Sequence, residues 1–297
     1  TGFTTKKFRA HIVNGFITEV REAGYNVRSI LNLDQRHIQA AVDTWIRKEL
    51  AAATIQTRLS ALRWLTSAIG KPGMIQIAEH YGLRPEHVER SGVATEDKSW
   101  SAKGQIAADL IAKATEFDRW VGAQLSLMSA FGLRPTEAIL MRPRAAHIGD
   151  VLKVEEGTKG GRTRILPVRT AEQLAVLEVC KQISDESLRG ALVHPDRTPA
   201  QQRRRMYYVC EKLGITKNQL DITPHGLRHE YANDRYEEVS GTESVVRGSS
   251  AILDEAAEDQ ARRTVTEELG HRRTGITASY TGGSKRRLAG YKRPAGP

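Results

Sequence analysis

Apolar residues recur every three to four positions through most of the first third of the chain. Phe8, Ile12, Phe16, Ile17 and Val20 form one stripe. Ile38, Val42, Trp45 and Ile46 form a second, and Ile55, Leu59, Leu62, Leu65 and Ile69 a third. This spacing marks amphipathic helices that each bury one face. Asp34 predicts an N-cap for the second helix, and Gly70 followed by Pro72 ends the third. A shorter helical piece is read from Ile75 to Tyr81. Together these elements predict a small helical bundle over residues 1–90.

The periodicity weakens from Arg90 to Lys103, a stretch rich in Gly, Ser and charge that reads as an interdomain linker (91–103). A second domain is assigned to 104–297. Helix returns from Gly104 through Ala130 and breaks at Gly132. Pro135 suits the first turn of the next helix. That places Arg134 where the chain enters the helix, beside free backbone amides that suit a phosphate. Val151, Leu152 and Val154 alternate as a strand, as do Thr163 to Val168, with a turn at Gly157-Thr-Lys-Gly-Gly161 that puts Lys159 at a hairpin tip. Helices follow at Ala171 to Ile183, Pro199 to Leu213, from Pro224, and from Asp254 to Leu269; a short one holds Tyr280. The predicted fold class is mainly α with a small β-sheet (α+β).

Charge narrows the partner. The 297 residues carry 45 Lys and Arg against 35 Asp and Glu, a net of +10, which favours a polyanion, nucleic acid first. The distribution is uneven. Glu230 to Gln260 holds nine acidic and two basic residues, whereas Ala261 to the end holds nine basic and two acidic. Cys180 and Cys210 fit no metal spacing and read as small buried apolar residues, with a reducing cytoplasm as the expected compartment. No membrane span and no signal peptide are read from the sequence.

The candidate chemistry sits in four runs: Gly132-Leu-Arg-Pro-Thr-Glu137, the hairpin with Lys159, His225-Gly-Leu-Arg-His229, and Leu269-Gly-His271 leading to Tyr280. Two arginines, two histidines and a tyrosine can attack a phosphodiester without a metal. Arginines neutralise the phosphorane, histidines donate or move protons, and a tyrosine can bond covalently to phosphorus. Each residue also has a plainer reading. Arg134 can simply pair with Glu137, and Lys159 can be a solvated turn residue. His225 and His229 have the spacing of a zinc pair, but Gly226 stands where a zincin carries its glutamate. His229 reads as a packing histidine. Tyr291 competes with Tyr280 but lies in a Gly- and Pro-containing basic tail.

In order and spacing these runs resemble the tyrosine recombinase family, the phage integrases and their relatives. The resemblance spans most of 101–281, and the helical first part resembles the family's core-binding domain. It implies that Arg134, Lys159, His225, Arg228, His271 and Tyr280 are catalytic, with Glu137 supporting the first arginine. Arg134 and Arg228 would grip the non-bridging oxygens, with His271 as a third donor. Lys159 would protonate the leaving 5′ oxygen. His225 would accept the proton of Tyr280, since an ordinary tyrosine, with pKa ~10, is a poor nucleophile at neutral pH. The expected product is a 3′-phosphotyrosyl link, with no cofactor and no metal. Expected partners are double-stranded DNA with specific recombination sites and further copies of this chain, as a tetramer on DNA. The rival readings are a type IB topoisomerase and a DNA-binding protein without activity.

Two departures from the family pattern stand out. Arg228 and His271 lie about twenty residues further apart than the resemblance implies for a compact member. The added material, near 239–260, is the acidic segment. It reads either as a solvated loop or as a shield over the active site. The tail after Tyr280 reads as too short and broken for a long exchanged helix, and no extra N-terminal arm-binding domain is read.

Overall fold

A computed structural model of the chain describes residues 3–89, 91–249 and 254–283. The basic tail with Tyr291 and positions 250–253 of the acidic segment lie outside the described residues. The chain divides into two compact units, Thr1–Ser91 and Gly92–Pro297.

The first unit contains α1 (Phe3–Glu22), α2 (Gln35–Arg47), α3 (Ala52–Ala68) and the short α4 (Pro85–Val88). Asp34 caps α2, its side chain accepting from the Arg36 amide. The predicted stripes meet in one core of Phe16, Val20, Ile38, Val42, Trp45, Ile55, Leu59, Leu62 and Leu65. Phe8 is an exception: it is 52% exposed, because the first turns of α1 run past that core. Between Ile75 and Tyr81 only Ala78–Tyr81 is helical, as a single 3-10 turn. Buried Glu19 of α1 accepts from Trp45 Nε1 at 2.7 Å and from Arg58 at 2.8 Å, tying the three long helices together.

The second unit opens with α5 (Ala107–Phe117), α6 (Arg119–Phe131), α7 (Pro135–Leu140) and α8 (Pro143–Ala146). The single helix read over 104–130 is therefore two. Asp118 breaks it: its backbone is extended, and its carboxylate caps α6 at the Trp120 and Val121 amides. Arg197 and Arg205 hold that carboxylate in place. A three-stranded antiparallel sheet follows in the order β1-β2-β3: β1 (His147–Ile148), β2 (Val151–Val154) and β3 (Arg164–Pro167). Two-residue β1 carries too little pattern to be read from sequence. The unit closes with α9 (Ala171–Ser184), α10 (Pro199–Lys212), α11 (Gly226–Ser240), α12 (Glu255–Glu268) and α13 (Ala278–Thr281). Buried α6 is central to the core, which also takes Leu152, Val154, Leu166, Leu177, Met206 and Leu227.

Much of the stretch read as a linker is built into this second unit. Trp100 is fully buried and donates from Nε1 to the Thr223 carbonyl at 2.7 Å. The Ala94 amide donates to Ala278 O at 2.8 Å. Cys180 and Cys210 are buried, and burial pushes both thiols up to about 12. No helix among the described residues is long and apolar enough to cross a membrane.

Candidate active site

The Gly132–Glu137 run turns the chain from α6 into α7. Gly132 has φ +60°, and a Cβ there would meet the Tyr231 ring at 2.5 Å, so only glycine fits. Arg134 precedes Pro135 and is extended, as a residue before proline must be. One turn into α7, Glu137 points inward and is fully buried. It accepts from the Arg134 amide at 2.8 Å and from Arg134 Nη1 at 2.7 Å. It also accepts a two-pronged pair from Arg164 Nη1 and Nη2, at 2.9 and 2.7 Å. Burial alone would push this carboxyl up. The hydrogen bonds and charge of Arg164, then Arg134, override that and hold it at about 2. Glu137 is thus a fixed anion between two guanidiniums, and it aims Arg134.

The sequence pattern gives no role to Arg164. On β3 the inward positions are Arg164 and Leu166, while Ile165 is 61% exposed. The strand therefore turns a charge in and an apolar side chain out, against the usual alternation. Arg164 Nε also donates to Glu268 O at 2.8 Å, joining the sheet to α12. The loop between β2 and β3 carries Lys159, exposed at its tip. Burial first, then the charges of Arg228, Arg134 and Arg164, and last that of Lys159, keep the His271 imidazole neutral. From the same loop, Arg162 Nη1 donates to His271 O at 2.8 Å.

The His225-Gly-Leu-Arg-His run enters α11. A Cβ at Gly226 would lie 2.6 Å from the Trp100 ring and 2.8 Å from Lys98 O, so this close approach requires glycine. Arg228 is fully buried. Its Nη1 donates to Gly132 O and its Nη2 to Leu269 O, both at 2.5 Å. Its Nε donates to the Tyr280 hydroxyl at 3.3 Å, and its Nη2 lies 3.3 Å from His271 Nε2. Burial, with help from Arg134, pushes the guanidinium down to about 10, so it stays charged at neutral pH. Arg134 Nη2 shares the Leu269 carbonyl at 3.4 Å.

Tyr280 on α13 is 6% exposed and ringed by imidazoles. Centroid distances from its ring are 4.7 Å to His229, 5.7 Å to His271 and 6.2 Å to His225. His229 Nδ1 is buried with no hydrogen-bond partner among the described residues. His225 has an exposed edge, yet the protein around its ring, then the charges of Arg228 and Arg134, draws it down to about 4. Burial and nearby cations bring His229 and His271 to about 4 as well. All three rings are neutral at pH 7. Five of the six predicted residues thus converge on one spot, Arg134 and Arg228 through a shared carbonyl. Lys159 stands at the hairpin tip.

The histidines set an acid limit on stability. Their folded values lie below the ordinary 6.5, so the unfolded chain binds more protons between pH 6.5 and 4. The stabilisation they give is complete above pH 6.5 and is lost as pH falls toward 4. The melting temperature is expected to drop over that window. His229→Phe should flatten the drop, which thermal scans of both proteins at matched ionic strength would measure. An equally steep drop in the variant would remove His229 from the account.

Comparison with known proteins bears on this geometry. Residues 1–75 match the family model described as phage integrase, N-terminal, and residues 90–234 match the integrase model. Tyrosine recombinase XerC of Mesorhizobium japonicum is 28% identical over 254 residues, covering 80% of this chain and 70% of that protein. XerC of Xylella fastidiosa strain M23 is 27% identical over 265 residues, covering 86% and 78%. Among solved structures, a lambda integrase dimer bound to a COC′ core site superposes with a TM-score of 0.60 at 16% identity, covering 95% of this chain and 89% of that one. A lambda integrase tetramer bound to a Holliday junction gives 0.61 at 15% identity, covering 94% and 72%. The chain belongs to the tyrosine recombinase family.

Proposed function

We propose that this protein is a site-specific DNA recombinase that cuts and rejoins strands through a 3′-phosphotyrosyl intermediate on Tyr280. One observation carries the assignment to that residue: the Tyr280 hydroxyl lies 3.3 Å from Nε of a buried, charged Arg228, and its ring packs among neutral imidazoles. In this reading the phenolic oxygen attacks phosphorus and the bond to the 5′ oxygen breaks. Arg134 and Arg228 take the charge that develops on the non-bridging oxygens, and His271 adds a donor; each such donor is worth about 3 kcal/mol. His225 accepts the phenolic proton, and Lys159 gives a proton to the leaving oxygen. A second reading gives the acceptor role to His229, whose ring is nearer to Tyr280 and whose Nδ1 has no partner. The working assembly is a homo-oligomer, a tetramer on duplex DNA carrying specific sites, in the cytoplasm. Residues 1–90 act as a core-type DNA-binding domain and 104–297 as the catalytic domain.

A duplex nicked beside the cleavage position tests this. Loss of the short fragment traps the intermediate, so native protein in EDTA should accumulate a covalent adduct that peptide mapping places on Tyr280. An adduct on another residue, or one that needs added magnesium or zinc, defeats the reading. A supercoiled plasmid without a cognate site separates it from a type IB topoisomerase, which alone would relax such DNA efficiently.

Lys159→Ala is expected to slow cleavage of ordinary DNA by about 10² or more, the usual worth of a general acid. On DNA with a sulfur at the 5′-bridging position the same variant should be nearly as fast as native protein, because that leaving group needs no proton. Equal slowing on both substrates takes Lys159 out of the acid role.

A further inference from the structure

The acidic insertion between Arg228 and His271 is not a plain solvated loop over its first half. Ser244 is fully buried, and its hydroxyl donates to Asn233 Oδ1 at 2.6 Å. Asn233, also fully buried, donates from Nδ2 to His229 O at 2.9 Å and lies 3.4 Å from both Tyr280 O and Asp97 Oδ1. An amide offers one acceptor end and one donor end. With the Ser244 hydroxyl on its oxygen, the Asn233 amide keeps its nitrogen toward the tyrosine backbone.

Val245 and Val246 close the other side. A Cβ built at Gly282 would lie 3.1 Å from both, so they rest against the chain just past Tyr280. Arg247 then pins the segment. Its Nη1 pairs with Asp234 at 2.7 Å and Glu237 at 3.5 Å, and its Nε with Asp97 at 3.2 Å. These carboxylates belong to α11 and to the stretch before Trp100. The four-residue α13 is far too short to hold its own shape.

We propose that residues 241–249 brace the nucleophile, with Ser244 and Arg247 as positioning residues that hold Tyr280 toward Arg228. The proposal rests on Tyr280 being the attacking residue. The brace reaches the Tyr280 carbonyl through Asn233 and rests against Gly282, so its loss is felt locally. It acts on the rate of attack, since none of its side chains is among the groups assigned to the phosphate.

Ser244→Ala and Arg247→Gln test this, with Arg247→Lys as the conservative rescue. Single-turnover cleavage of the nicked duplex at saturating protein should slow about ten-fold or more in both, at DNA affinity within about two-fold of native, as for a misplaced reacting group. Arg247→Lys should recover most of the rate. Amide exchange in peptides covering 278–283 should quicken about ten-fold, while peptides from β2 and β3 stay at the native rate. Unchanged cleavage overturns the proposal, whatever the exchange shows. Faster exchange across the whole second unit also overturns it, because it reports general destabilisation. The native protein's own adduct is the separate check on Tyr280: if it fails to form, the functional reading fails, while the exchange data still decide whether the segment braces α13.

Discussion

Tyr280→Phe is expected to bind DNA with native affinity and to form no covalent adduct. Among the described residues the hydroxyl has one hydrogen-bond partner, Arg228 Nε at 3.3 Å, and the ring packs on three imidazoles. Removing one oxygen keeps that packing and the basic surface. It leaves the arginine with its two carbonyl bonds, so folding should cost no more than about 1 kcal/mol, a typical hydrogen bond. On the proposed mechanism chemistry is lost outright, because that oxygen is the attacking atom. Trapping on the nicked duplex, beside a filter-binding isotherm, reads both quantities. Residual adduct in the Phe variant would move the nucleophile elsewhere.

Arg228→Met should lose nearly as much activity and, unlike the tyrosine variant, lose stability too. The guanidinium is buried between Gly132 O and Leu269 O. In the variant Gly132 O loses this charged donor, at a cost of about 1–3 kcal/mol, and Leu269 O keeps only the longer bond from Arg134 Nη2. Transition-state charge loses a donor worth about 10²–10³ in rate. Denaturant unfolding and single-turnover cleavage are expected to fall together. A variant as stable as native protein would mean that the carbonyl contacts contribute little, and one still cleaving at the native rate would exclude Arg228 from the phosphate.

Much of the candidate cluster was legible because its residues sit in short local runs. Arg134 next to Pro135, His225 three before Arg228, and His271 ahead of Tyr280 are spacings a linear reading can see. The helical stripes of the first unit were legible for the same reason: each is a local period. What stayed hidden depends on partners far away in the chain. Arg164 faces in because Glu137 waits for it, and no period announces that. Trp100 reads as part of a linker until Thr223 and Gly226 are placed beside it. Asp118 looks like one more polar position in a helix, and only Arg197 and Arg205 show why it stays extended. Ser244 and Arg247 looked like loop composition because their partners, Asn233, Asp97 and Asp234, come from other elements. The acidic count of that segment was right, but a net charge says nothing about which carboxylates one arginine gathers.

The carbonyl cage around Arg228 has a consequence for mixed populations of subunits. On the proposed function, a chain that has lost only the Tyr280 oxygen is expected to stay folded, to engage DNA and to take a place among working copies. It would then poison a tetramer of the kind proposed. A chain that has lost Arg228 gives up part of its fold along with its chemistry, exposes itself to proteases, and leaves the pool before it can compete. Two equally inactive alleles would then differ in dominance, and the difference would trace to one side chain serving as a strut and, on the proposed mechanism, as a donor to the phosphate.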